Sequence, residues 1–170
     1  MVTAPSVLRC WSSIVDSPLG VLEICASGDG IVALNFPGRA AAPASAVDDA
    51  AAAGILADAT SQLRAYFEGR LTRFDLPIDL RGTQFQCKAW RALCDIGFAE
   101  TISYAEQARR IGRPRATRAV GAANGRNPIP VIVPCHRVIG SDGSLTGFAL
   151  GTGVKRWLLD HEARVAAGAA

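Results

Sequence analysis

The sequence predicts an α+β protein in two lobes: a small N-terminal α/β lobe with an antiparallel sheet over residues 1–80, and a mostly helical C-terminal lobe over residues 81–170. Three observations predict it. Residues 9–36 alternate short apolar segments with turn signals, the pattern of neighbouring antiparallel strands. Beyond residue 81, two segments open with a hydroxyl residue followed three positions later by Glu or Gln, a helix-start signature. The charge also divides there. Residues 1–80 hold five Lys/Arg against nine Asp/Glu, residues 81–127 nine against three, and residues 128–170 four against three.

In the N-terminal lobe the turn signals are Ser17-Pro18-Leu19-Gly20, Gly28-Asp29-Gly30 and Pro37-Gly38. They separate two or three strands. Residues 39–54 are alanine-rich with Pro43 and Gly54, and read as a variable connection. Apolar side chains at 56, 59, 63, 66 and 67 have helical spacing, closed by Gly69. Residues 74–80 alternate well enough for a strand or an extended linker.

In the C-terminal lobe, Thr83-Gln84-Phe85-Gln86 and Ser103-Tyr104-Ala105-Glu106 both fit the capping box, in which two side chains satisfy each other's orphan N–H groups. The first helix carries Phe85, Ala89, Trp90 and Leu93 before Gly97; the second carries Ala105, Ala108 and Ile111 and stops at Gly112. A third runs over residues 115–124 to Gly125. The last two, joined by a glycine-containing turn, form a helix-turn-helix. Its second helix is unusually small-sided, with Ala119, Gly121, Ala122 and Ala123. A major-groove reader carries long hydrogen-bonding side chains; a small face instead allows the close backbone approach of a shallow minor-groove contact. The competing reading is an ordinary packed helix in which Gly121 makes room for a neighbour.

About half the residues are hydrophobic and 19% charged, the composition of a folded globular chain. No apolar run approaches the ~20 residues that span a bilayer, and the N-terminus shows no secretion signal. A cytoplasmic protein without membrane association is expected. The five cysteines are irregularly spaced and the histidines are only His136 and His161, so no metal site is expected. Four of the cysteines read as reduced, partly buried packing residues. The basic block at 81–127 is the electrostatic footprint of a phosphate-binding surface, although charge runs are more often solvated helix faces.

The fifth cysteine stands apart. Asn127-Pro128 leads through the apolar run 129–133, read as a buried strand, into Pro134-Cys135-His136-Arg137-Val138. A free thiol is only a few per cent thiolate at neutral pH, and a neighbouring imidazole or cation raises that fraction. Adjacent side chains rarely hydrogen-bond directly, so a bridging water is the expected path from Cys135 to His136. The C-terminal helix, over residues 154–165, offers both Glu162 and Asp160 to orient the imidazole.

The run from Arg118 to Val138, with Ala119-Val120-Gly121, Asn127-Pro128 and Pro134-Cys135-His136-Arg137-Val138, resembles the methylated-DNA–protein-cysteine methyltransferases, the O6-alkylguanine-DNA alkyltransferases. The similarity extends through Ser103-Tyr104, Leu145-Thr146-Gly147 and residues 155–162, and more loosely to Asp16-Ser17-Pro18-Leu19-Gly20. It implies a ribonuclease H-like N-terminal lobe and a winged-helix-like C-terminal lobe. It also implies direct reversal of damage, with single-turnover, irreversible transfer of the alkyl group from O6-methylguanine, and from O4-methylthymine, to Cys135. By the same resemblance His136 is the water-linked base, Glu162 holds it, and Asn127 orders the turn. Tyr104 protonates the leaving base and Arg118 fills the space left by the flipped guanine. Arg115 touches phosphate, while Thr117, Ala119, Gly121, Ala122 and Ser103 face DNA. The pocket is formed by Tyr104, Val138, Phe148, Ala149 and Leu150, with backbone near Val138 and Ala149 reading the guanine edge. No cofactor is implied. The partner is double-stranded DNA carrying O6-alkylguanine, met by a monomer that can associate along the duplex.

One departure matters. Phe148-Ala149-Leu150-Gly151 stands where many members carry Tyr, a small residue and two glycines. Leu150 therefore predicts a narrower pocket that accepts methyl but handles benzyl-sized groups poorly.

Overall fold

The computed structural model describes residues 10–38, 48–146 and 148–168. Residues 39–47 of the alanine-rich connection, and Gly147 of the Leu145-Thr146-Gly147 motif, lie outside them. The described residues open with three strands, β1 (Trp11–Ser17), β2 (Gly20–Ala26) and β3 (Ile31–Asn35), in one antiparallel sheet of that order. The hairpin between β1 and β2 pairs Ser17 with Gly20. Gly20 has φ +98°, and a Cβ there would meet Pro37 Cγ at 2.9 Å, so conformation and space both demand glycine. Val15, Leu22, Ile24 and Leu34 are buried from the strands, and share one core with Leu56, Ala59 and Leu63 of the long helix α1 (Ala50–Phe67).

Helix α1 starts six residues earlier than apolar spacing suggests. Asp49 caps it, Oδ1 accepting from the Ala51 and Ala52 amides at 2.8 and 3.2 Å. Alanines 50–53, read as connection, are the strongest helix formers available. Residues 74–80 are a linker, not a strand. It meets β3 through a single parallel bridge, Ile31 to Ile78.

The C-terminal half contains α2 (Gln84–Leu93), β4 (Ile102–Ser103), α3 (Tyr104–Arg110), α4 (Thr117–Asn124), a 3-10 turn at Cys135–Arg137, β5 (Val138–Ile139) and α5 (Thr152–Ala166). The capping box at Thr83 and Gln86 forms in full. At Ser103 only half forms: Ser103 Oγ accepts from the Glu106 amide at 3.1 Å, while the Glu106 carboxylate turns to Arg109 and Arg110. Helix α4 begins at Thr117, two residues later than expected, without a side-chain cap.

Three buried contacts fix the angle of the helix-turn-helix. Trp90 Nε1 donates to the Ala123 carbonyl at 2.8 Å. Gln107 and Asn124 exchange amide hydrogen bonds at 3.1 and 2.7 Å, and Gln107 Nε2 also reaches the Ala89 carbonyl at 3.1 Å. These close a polar pair inside an otherwise apolar cluster of Ala89, Ala108, Ile111, Val120 and Ala123. Unpaired, the same amides would each cost on the order of 1–3 kcal/mol.

The expected strand at 129–133 does not form. The segment is buried but turned, and Val131 has φ +75°. Pro128, Pro130 and Pro134 remove ladder donors, and Asn127 takes the Val133 carbonyl itself at 2.7 Å. Parallel pairing of β4 with β5, Ile102 to Val138 and Ser103 to Ile139, then ties the start of α3 to the segment that follows the cysteine.

Candidate active site

Cys135 opens the 3-10 turn and is 4% exposed. Asn127 Nδ2 lies 3.0 Å from its Sγ and Asn127 Oδ1 accepts from the Ile129 amide at 3.0 Å. One buried side chain thus holds the end of α4's connection, the turned segment and the sulfur together. Cys25, by contrast, is a packing residue whose thiol burial and the Glu23 charge push up to about 12. Cys94 is exposed, not partly buried as expected.

His136, adjacent to Cys135, is fully buried. Its Nε2 is 2.9 Å from Glu162 Oε1, so an ionised Glu162 selects the tautomer with the proton on Nε2 and leaves the Nδ1 lone pair as acceptor. Among the described residues that Nδ1 is buried and meets no hydrogen-bonding partner. Burial, opposed by the hydrogen bond that the imidazole donates to Glu162, holds His136 below its usual value and keeps it neutral at pH 7. Of the two acids offered by α5, only Glu162 reaches it; Asp160 is exposed.

Glu162 is also fully buried. Arg137 forks onto it through Nε at 3.0 Å to Oε2 and Nη2 at 2.8 Å to Oε1. The Ala99 amide donates to Oε2 at 3.0 Å and the Tyr66 hydroxyl to Oε1 at 2.9 Å. Burial alone would raise this carboxyl; the hydrogen bonds from His136 and Arg137 outweigh it and draw it down to about 2. Ala99 adopts φ +59° to present its amide, a strained backbone held by the site it serves.

On the other side of the sulfur, Tyr104 begins α3 and its hydroxyl donates to the Thr146 carbonyl at 2.6 Å. Burial, then the neighbouring Cys135, raise this phenol above its usual range. Lys155 is fully buried in α5. Its Nζ donates to the Val138 carbonyl at 2.5 Å, the Thr146 carbonyl at 2.9 Å and Tyr104 Oη at 3.4 Å. Burial lowers it to about 8, against the opposing pull of Cys135.

The structure therefore brings together Cys135, His136, Glu162 and Asn127, with Tyr104 and Val138 beside them. Phe148 and Leu150 are half-buried against the same core, whereas Ala149 is exposed. Arg115, Arg118, Ala119 and Ala122 are exposed, and Thr117, Ser103 and Gly121 partly so. A Cβ on Gly121 would meet only the Tyr104 ring, at an ordinary 3.8 Å, so packing does not require glycine there. Sequence reasoning missed Lys155, Arg137 and Tyr66 as parts of the site. Lys155 had a signal: it falls in register with Leu158 and Glu162, on the buried stripe of α5.

Two family models cover most of the chain. The 6-O-methylguanine DNA methyltransferase DNA binding domain matches residues 84–164, and the ribonuclease-like domain of the same proteins matches residues 11–80. A methylated-DNA–protein-cysteine methyltransferase of Methanosarcina barkeri is 46% identical over 155 residues, covering 89% of this chain and 96% of the relative. One from Mycobacterium tuberculosis is 48% identical over 148 residues, covering 87% and 89%. The crystal structure of Mycobacterium tuberculosis OGT in complex with DNA superposes with a TM-score of 0.78 at 44% identity, covering 92% of this chain and 94% of that one. Matched along nearly its whole length by both domains of one family, and by relatives close to half identical, the chain belongs to the 6-O-methylguanine DNA methyltransferases, the methylated-DNA–protein-cysteine methyltransferases.

Proposed function

We propose that this chain repairs DNA by moving the alkyl group of O6-alkylguanine onto Cys135 Sγ, once and irreversibly. The observation that carries the reading is a buried thiol flanked by a neutral imidazole, whose far nitrogen is held by an ionised carboxylate. That is the arrangement of an activated nucleophile.

A water between Sγ and His136 Nδ1 passes the thiol proton to the imidazole, and Glu162 stabilises the imidazolium. The charge of Lys155 faces the sulfur and favours its thiolate form. Sulfur attacks the alkyl carbon in line; the S–C bond forms, the C–O6 bond breaks, and its electron pair passes to the guanine. Tyr104 supplies a proton to the base at N3, and Lys155, 3.4 Å away, can replace it. Water cannot readily displace the resulting thioether, so the protein is consumed and no cofactor is needed.

A base inside a duplex cannot meet an in-line nucleophile and must be flipped out, at a cost of a few kcal/mol. The small outer face of α4, with Thr117, Ala119, Gly121 and Ala122, lies against the minor groove in this reading, with Ser103 beside it. Arg118 takes the place of the extruded base and Arg115 binds phosphate. Val138, Phe148, Ala149 and Leu150 receive the guanine, while O4-methylthymine is a second substrate. The protein acts as a cytoplasmic monomer. Among the described residues no helix is long and apolar enough to cross a membrane.

The test is to incubate the protein with a duplex containing O6-methylguanine and weigh the peptide that carries Cys135. A gain of one methylene equivalent, absent in Cys135→Ser, is the expected result. An unmodified peptide from protein that still binds the duplex leaves a recognition module without chemistry.

A further inference from the structure

Among the described residues, the N-terminal lobe reaches the carboxylate behind His136 through the Tyr66 side chain. Tyr66, in the last turn of α1, is 1% exposed. Its hydroxyl donates to Glu162 Oε1, the same oxygen that holds His136 Nε2, each contact being 2.9 Å. A second tie lies one residue away: His161 Nε2 is 2.8 Å from the Tyr66 carbonyl oxygen. The ring is clasped by Phe67, Phe74 and His161 at centroid distances of 5.3 Å and by Phe98 at 6.2 Å. The hydroxyl is thereby fixed in direction. Burial, with the charge of Glu162, raises this phenol well above its usual range, so it remains a neutral donor.

We infer that Tyr66 is a positioning residue for alkyl transfer: its hydroxyl shares the charge on Glu162 Oε1 and so sets how strongly His136 holds a proton. The inference rests on the proposed role of Cys135. A carboxylate oxygen that loses a donor concentrates its charge on those that remain. Removing the Tyr66 hydroxyl strengthens the contact with His136 Nε2 and makes the imidazole more basic. The other groups facing this cluster are Arg137 on the 3-10 turn, Lys155 on α5 and the Ala99 amide. Tyr66→Phe changes none of them, and it keeps the ring that the aromatic clasp needs.

The experiment is the single-turnover rate of methyl transfer from O6-methylguanine duplex, measured against pH for the parent, Tyr66→Phe and Phe74→Leu. In Tyr66→Phe the midpoint of the acid limb should rise by about half a pH unit or more. Phe74→Leu, which disturbs only the clasp, should lower the thermal midpoint and leave the acid limb in place. Fluorotyrosine placed at position 66, a stronger donor, should move the limb down, which keeps the question open to test even if Tyr66→Phe folds poorly. An unchanged or lowered midpoint in Tyr66→Phe, or an equal rise in Phe74→Leu, overturns the inference. If the parent transfers no methyl, the proposed function itself fails; if it transfers and the midpoint stays, only the role of Tyr66 is lost.

Discussion

At Glu162 two opposing effects meet, and their balance is measurable. Desolvation disfavours the charge; the Arg137 fork and the His136 contact more than restore it, leaving the carboxyl at about 2 against an ordinary 4.5. A carboxyl depressed on folding contributes stability that is present above pH 4.5 and lost as pH falls from there toward 2. The difference corresponds to on the order of 3 kcal/mol. Glu162→Gln should flatten this part of the acid unfolding curve, followed by circular dichroism, and slow transfer by about a hundredfold or more through loss of the imidazole's partner. Lys155 predicts an alkaline effect. Its folded value near 8 means that it loses its charge just above neutral pH; the transfer rate should decline there, and Lys155→Gln should be slow at all pH values. If Leu150 narrows the pocket as proposed, the parent should transfer methyl well and benzyl poorly, with Leu150→Gly recovering benzyl transfer. Equal rates for the two groups in the parent, unchanged by the substitution, would remove that role.

At the scale of elements, the proposed DNA contact of α4 rests on what that helix lacks. Ala119 and Ala122 are exposed and Gly121 is not demanded by packing, so enlarging this face should weaken binding without unfolding the protein. Ala122→Glu should reduce affinity for duplex DNA by roughly tenfold or more, through bulk and repulsion of phosphate, while the thermal midpoint stays within a few degrees of the parent's. A titration against labelled duplex decides it. Asn124→Leu should do the reverse damage. It leaves the buried Gln107 Oε1 without its Asn124 donor, while Nε2 keeps the Ala89 carbonyl, and should cost about 1–3 kcal/mol in denaturant unfolding.

What the sequence revealed of these elements follows the range of the interactions. Caps and turns are local, so Thr83, Gly112 and Ser17-Pro18-Leu19-Gly20 mark their elements in one dimension. The start of α1 was hidden because an alanine run has no apolar period, although Asp49 stood before it as a cap. The buried run before Cys135 read as a strand because side-chain character is visible in sequence, whereas backbone held by Asn127 is not.

Across the whole molecule, the larger core takes Trp11, Leu34, Leu63, Trp90, Ile129 and Leu158 into one cluster, so both ends of the chain support the cysteine. Cys135, His136 and Asn127 are legible because the motif around the cysteine is contiguous and strongly patterned, whereas Tyr104, and Glu162 in preference to Asp160, follow from the family resemblance. Arg137 stands in the same motif, but nothing in the sequence says that its guanidinium turns to Glu162, and Tyr66 reaches that carboxylate only through a contact spanning 96 residues. Alkyl transfer to one sulfur atom is tested most directly by its stoichiometry. Excess duplex carrying O6-methylguanine is mixed with a known amount of protein, and restored guanine is counted alongside the intact mass of the chain. One guanine restored per protein molecule, with one methyl retained at Cys135 and none in Cys135→Ser, is the predicted result. Repeated turnover, or guanine restored while Cys135 stays unmodified, contradicts it.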